Sequence, residues 1–178
     1  MTTRLPAVLV SLLLSMVLNN FNSFFDTDEL SYNTEIDRTA FALEMTEVVN
    51  EARKTGRVCG ETFYEPAAPL NWNMRLADAA HIHAVDMAAN NHFDHEWTDG
   101  STPGSRIRRQ GYSPKAWGEN IAAGFIDVQA VVDNWLESPG HCANIMSPDY
   151  TEIGASSAEN TYSQYSIFWA QVFAAPNQ

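Results

Sequence analysis

Five histidines, two cysteines and a scatter of carboxylates are the residues of this 178-residue chain that could do chemistry. Cys59 and Cys142 lie far apart, and an even pair in an exported chain reads first as a disulfide. The bridge would close a loop of about 80 residues, for which the chain-entropy model gives roughly 4 kcal/mol. The competing reading makes Cys142 a thiol nucleophile beside His141. Neighbours on a chain rarely point at each other, however, and Cys59 would then have no role. His83 falls on the apolar stripe of a helix and reads as a core histidine; His81, off that stripe, reads as solvated. His92 is a cleft-edge residue or a loop cap, three positions before His95, and the sequence holds neither an H-E-x-x-H helix nor a G-x-S-x-G elbow. Asn120 and Asn144 read as amides that satisfy buried loop backbone. Trp72, Trp97, Trp117 and Trp169 are candidate pocket walls, while Trp135 lies in a helical stripe and reads as core.

The elements that must position these residues show in the spacing. Phe41, Met45, Val48, Val49 and Ala52 recur at helical intervals with Glu44, Glu47 and Glu51 opposite, which predicts a first amphipathic helix beginning near Ile36 and stopped by Gly56. Gly60, Pro66 and Pro69 break the next stretch into loop. Asn73 can cap a second helix whose stripe is Leu76, Ala80, His83, Ala84, Met87 and Ala88. Residues 90–102 form a loop carrying His92 and His95, and 103–110 a short third helix stopped by Gly111. A fourth helix over 127–137 is buried through Val128, Val131, Val132, Trp135 and Leu136; Ser138-Pro139-Gly140 ends it and can start another turn. Residues 152–156 and 162–173 change to β-branched and aromatic composition and read as strands. Helices first and strands last, with no alternating βα units, point to α+β with an antiparallel sheet.

Composition excludes some partners. Ten Lys and Arg face 22 Asp and Glu, a formal charge of -12 with a pI near 4.6, so nucleic acid is not an expected partner. The basic cluster Arg106-Ile107-Arg108-Arg109 reads as a solvated helix face, with anionic glycans or lipid headgroups as the alternative. Arg4 precedes an apolar run over 5–18, long enough for a signal-peptide core and short of the roughly 20 residues of a membrane span. The expected organisation is a signal peptide over 1–25, with an uncleaved N-terminal anchor as the alternative, an acidic leader over 26–36 without periodicity, and a domain over 37–178. The chain is expected to be secreted, extracellular or periplasmic, with no transmembrane domain once the signal is cleaved.

Four ordered pieces carry a resemblance: His92-Phe93-Asp94-His95; Gly118-Glu119-Asn120-Ile121-Ala122; Trp135-Leu136-Glu137-Ser138-Pro139-Gly140-His141-Cys142-Ala143-Asn144-Ile145-Met146; and Glu152-Ile153-Gly154. Together they resemble the secreted bacterial branch of the CAP superfamily, which comprises cysteine-rich secretory proteins, antigen 5 and pathogenesis-related-1 proteins and is also named for its SCP domain. The likeness covers about residues 40–175 in the family's order. It implies a single-domain α-β-α sandwich with a three- to four-stranded antiparallel sheet between helical layers. It also implies a cleft lined by two histidines and two glutamates, to which His95, Glu119 and His141 correspond. The family's fourth position, three residues after the tryptophan, is Ser138 here, with Glu137 one residue earlier. One residue turns a helical side chain by about 100°, which aims Glu137 toward solvent.

Such a group can hold a divalent metal, zinc first, through His95 and His141 with an open position for water. Without metal it can serve as general acid and base, or simply lock loops together. No cofactor is required. The resemblance implies a monomeric extracellular binding module for a lipid, peptide or glycan. The alternative is a hydrolase, metal-assisted or general acid/base, acting on peptides or cell-envelope polymers with Glu119 as base or orienter.

Overall fold

The structure, a computed structural model, describes residues 27–177. The expected signal peptide lies outside them. Contacts divide the chain into two units, Met1–Ala40 and Phe41–Gln178. The described part of the first unit is helical, because α1 runs Thr27–Arg53 and crosses the division. The absence of periodicity in the leader predicts no regular structure there; its backbone is instead helical from Thr27, since a helix nucleated by a packed segment can propagate into residues that carry no apolar stripe.

In the second unit the order continues β1 (Arg57–Cys59), β2 (Thr62–Tyr64), β3 (Asn71–Trp72), α2 (Met74–Asn90), α3 (Pro103–Arg109), β4 (Pro114–Ala123), α4 (Val128–Glu137), α5 (Pro139–Met146), β5 (Glu152–Asn160) and β6 (Ser166–Pro176). β1 and β2 form a small hairpin where the sequence suggests only loop, and the remaining strands form one sheet in the order β3-β5-β6-β4. β5, β6 and β4 are antiparallel, as expected; the two-residue β3 joins β5 in parallel.

β6 explains the sandwich. Its residues from Phe168 to Ala175 are all buried, because both faces of the strand are covered. Phe168, Ala170, Val172 and Ala174 meet Leu76, Ala80, Ala84 and Met87 of α2 and Ile107 of α3. Trp169 and Phe173 belong to the opposite core with Met45 and Val49 of α1, Val131, Val132 and Trp135 of α4, and Ile145 and Met146 of α5. The result is the α-β-α layering expected.

Two glycines of the resemblance motifs are fixed by close approach. A Cβ on Gly154 would lie 2.1 Å from the Ala77 backbone nitrogen, so β5 and α2 pack at this distance only with glycine there. A Cβ on Gly118 would meet the Tyr150 hydroxyl at 2.6 Å and Asn144 Oδ1 at 2.9 Å. The Cys59 and Cys142 sulfurs are bonded, tying the β1–β2 hairpin to α5 across 83 residues. That bond removes the thiol-nucleophile reading. At the end of α1, buried Arg53 binds the carbonyls of Ala68, Ile145 and Ser147, which fastens the C-terminus of α5.

Candidate functional site

β4 is a strand that the periodicity does not reveal. Glu119, Asn120 and Gln171 are buried polar residues, and the first two interrupt the apolar alternation by which a strand is recognised. Along β4 successive side chains point to opposite faces of the sheet. Ile121 packs with the α2 and α3 core, and Glu119, two residues away, faces the same side, while Asn120 faces α5.

Asn73 caps α2 through its side chain, and that helix brings His83 to the sheet. At its far end Asp86 accepts from the Thr98 backbone N–H at 3.1 Å and the Thr98 hydroxyl at 2.7 Å, which fixes the loop that carries His95. His92 Nε2 lies 3.1 Å from the Glu96 carbonyl, in keeping with a loop cap, and His81 is exposed with Nδ1 3.1 Å from the Ser156 hydroxyl. Thr102 and Pro103 start α3, and α3 supplies Arg106.

These elements converge on Glu119, whose side chain is 2% exposed. His95 Nδ1 is 2.9 Å from Oε1, and Arg106 Nη2 donates to Oε2 at 2.7 Å. The same Nη2 donates to the His95 carbonyl at 3.0 Å, and Nη1 to the Ser101 carbonyl at 2.8 Å. Arg106 is 1% exposed, which corrects the reading of residues 106–109 as a solvated face. Arg108 and Arg109 are indeed exposed. A helix of seven residues is too short for periodicity to separate its buried arginine from its exposed ones. Once β4 is seen as a strand, its buried carboxylate requires a cation buried with it, but neither the strand nor the burial is marked in the sequence.

His83 is fully buried, as expected of a core histidine, yet its Nε2 lies 3.6 Å from Glu119 Oε1. Burial lowers its pKa to about 4, outweighing the attraction of Glu119, so this approach is not an ion pair at neutral pH. His95 behaves oppositely. The hydrogen bond to Glu119 raises its pKa, burial opposes, and the charges of Glu119 and Asp94 add to the rise.

His141 comes from α5. Its imidazole is partly buried, Nδ1 has no hydrogen-bond partner among the described residues, and its pKa is lowered by burial and by the charge of His95. Asn120 donates to the His141 carbonyl at 3.2 Å and to Gln171 at 3.0 Å. Asn144 donates to the Glu119 carbonyl at 3.2 Å and to Asn120 Oδ1 at 2.9 Å, so both amides do satisfy backbone, but the carbonyls belong to β4 and α5 where the sequence suggests loop backbone. Glu137 is exposed at the end of α4, and Ser138 is the cap between α4 and α5. Neither joins the group around Glu119 in any hydrogen bond or ion pair of the described residues. Trp135 and Trp169 are core, whereas Trp72 and Trp97 line grooves of about 570 Å³ and about 320 Å³ and Trp117 is exposed.

These donors do not fit a metal ion. Both oxygens of Glu119 face protein donors, the second carboxylate of the four-residue set is replaced by Ser138, and two imidazoles fall short of the three protein ligands of a catalytic zinc site. Among the described residues no group of three or more His, Cys, Asp or Glu is arranged to hold one.

Comparison with known proteins agrees with this architecture. The chain is 34% identical over 105 residues to the uncharacterised protein YkwD of Bacillus subtilis, covering 59% of this chain and 39% of that protein. It is 33% identical over 97 residues to the uncharacterised membrane protein YlbC of the same organism, covering 54% and 28%. It therefore spans well under half the length of either relative. Among solved structures, an extracellular SCP-domain protein of Bacillus anthracis superposes with TM-score 0.63 at 28% identity, covering 77% of this chain and 41% of that one. An outer surface protein of Borrelia burgdorferi shares the fold, with TM-score 0.62 at 22% identity over 81% and 96% of the two chains. No described helix is long and apolar enough to cross a membrane. Residues 46–173 match the model of the cysteine-rich secretory protein family, and with the layered fold and the ordered motifs around Glu119 this chain belongs to the CAP family.

Proposed function

We propose that this chain is an exported CAP domain that acts as an extracellular recognition module for a neutral or cationic ligand, peptides first. One observation carries the reading: Glu119 is used up inside the protein. Its carboxylate is clamped between Arg106 and His95, which makes a rigid support for the loop over residues 91–101 and leaves no free carboxylate to move protons. A net charge of -12 disfavours anionic partners. The test is binding of the purified chain to immobilised peptides, cell-envelope polysaccharide and neutral lipid vesicles. Saturable binding to peptides that survives His141→Ala supports the reading, and no binding to any of the three overturns it.

The opposed histidines favour a second reading, a hydrolase working by general acid and base without metal. A pair of titratable groups pushed apart by their surroundings is how acid and base roles are divided. His95, held toward its protonated form, would donate; His141, held neutral, would accept. Peptide, ester and glycan substrates that are all left intact by the purified chain remove this reading.

A further inference from the structure

Arg106 has three acceptors on two separate pieces of chain, the loop over residues 91–101 and β4. Its guanidinium reaches the Glu119 carboxylate on β4, the carbonyl of His95 and the carbonyl of Ser101, all at 2.7 to 3.0 Å. It is buried together with the carboxylate, and among the described residues it is the one fully buried cation facing it, since His83 is neutral there at neutral pH. A planar fork with several fixed donors suits this task, and a guanidinium stays charged at any pH the protein meets.

We propose that Arg106 is the positioning residue of this site, an internal cation that holds Glu119 and the His95 loop in the place where a bound metal ion would otherwise do so. The geometry supports this on two counts. Glu119 Oε2 is occupied by Arg106 and Oε1 by His95, so a metal ion that took this carboxylate as a ligand would have to displace one of them, and His95 and His141 without it supply only two ligands. A dication at Glu119 would also be repelled by a guanidinium that cannot lose its proton. The consequence is that the site keeps its form without metal. This goes beyond the recognition reading and does not depend on what ligand the protein binds.

The test uses zinc chloride as the probe, with the full chain and three variants followed by calorimetric titration and thermal melting. The unaltered chain is expected to take up no zinc stoichiometrically at micromolar concentrations, and its midpoint should not move. Arg106→Met is expected to melt roughly 10 °C lower or more, because a buried carboxylate has lost its counter-charge. Zinc should then recover part of that loss in Arg106→Met and none of it in the double variant Arg106→Met/Glu119→Gln, which a purely structural role for Arg106 would not produce. Arg106→Lys, whose ammonium cannot serve all three acceptors at once, should melt between the unaltered chain and Arg106→Met. One-to-one zinc uptake by the unaltered chain that His95→Ala abolishes would overturn the proposal, and so would a folded Arg106→Met that zinc leaves unchanged. If Arg106→Met does not fold, the zinc titration of the unaltered chain and the midpoint of Arg106→Lys still decide; an Arg106→Lys midpoint equal to that of the unaltered chain contradicts the three-acceptor clamp.

Discussion

Replacing Glu119 by glutamine keeps the shape of the side chain and removes its charge. In the folded protein Arg106, 1% exposed, then faces an amide in place of a carboxylate. The amide offers one oxygen, yet both Arg106 and His95 present donors, so whichever partner meets the amide nitrogen loses its acceptor. Breaking one side of a buried ion pair costs about 3–5 kcal/mol, roughly a fifth or more of the 5–15 kcal/mol that stabilises an ordinary domain. For a domain of this size that lowers the melting midpoint by roughly 10–20 °C. The same change alters the pH dependence. The folded pKa of His95 lies above its ordinary value, so its contribution is fully present below the unfolded pKa of about 6.5 and is lost as pH rises through the folded pKa. Glu119→Gln removes the main cause of that rise and should flatten the loss of stability across neutral pH. Urea unfolding of both proteins, followed by tryptophan fluorescence with the buried Trp135 as reporter, measures both effects. A Glu119→Gln midpoint equal to that of the unaltered chain, or an unchanged slope with pH above about 6.5, would refute the clamp.

Other parts of the structure make separate expectations. Gly154→Ala places a methyl group 2.1 Å from the Ala77 nitrogen, against backbone that has nowhere to yield; it should cost about 3 kcal/mol or more, read by urea titration. Reducing the Cys59–Cys142 bond frees an 83-residue loop in the unfolded chain and should cost about 4 kcal/mol in the loop-entropy account, seen as a lower midpoint in reductant. His83, with its folded pKa of about 4, should make the protein labile to acid. Stability is lost as pH falls from about 6.5 toward 4, by up to roughly 3 kcal/mol, and His83→Leu should abolish that part of the acid slope.

The parts that are legible in the sequence follow a single period. The stripe from Leu76 to Ala88, with Asn73 before it, marks α2 and its buried histidine, and the run from Val128 to Leu136 marks α4. β6 is legible through its aromatic and β-branched content, though the segment over 162–165 is turn and the strand begins at Ser166. What stays hidden is what breaks a period for a functional or packing reason. β4 carries buried Glu119 and Asn120, which read as a polar loop until their partners on α3 and α5 are known. Arg106 is hidden because its neighbours Arg108 and Arg109 are exposed and the helix is too short to show which face turns inward. Its role is a tertiary fact, set by a carboxylate 13 residues further along the chain. Glu137, by contrast, lies where the one-residue offset from the family position puts it, in solvent.

Nitrogen-15 NMR of the histidine side chains across pH tests the clamp most directly. The expected spectrum has His95 carrying a hydrogen-bonded proton on Nδ1, with a pKa above the ordinary value, and both features vanish in Glu119→Gln. A His95 that titrates as a free imidazole in the unaltered chain, with its proton on Nε2 when neutral, would contradict the claim that Glu119 is held between Arg106 and His95.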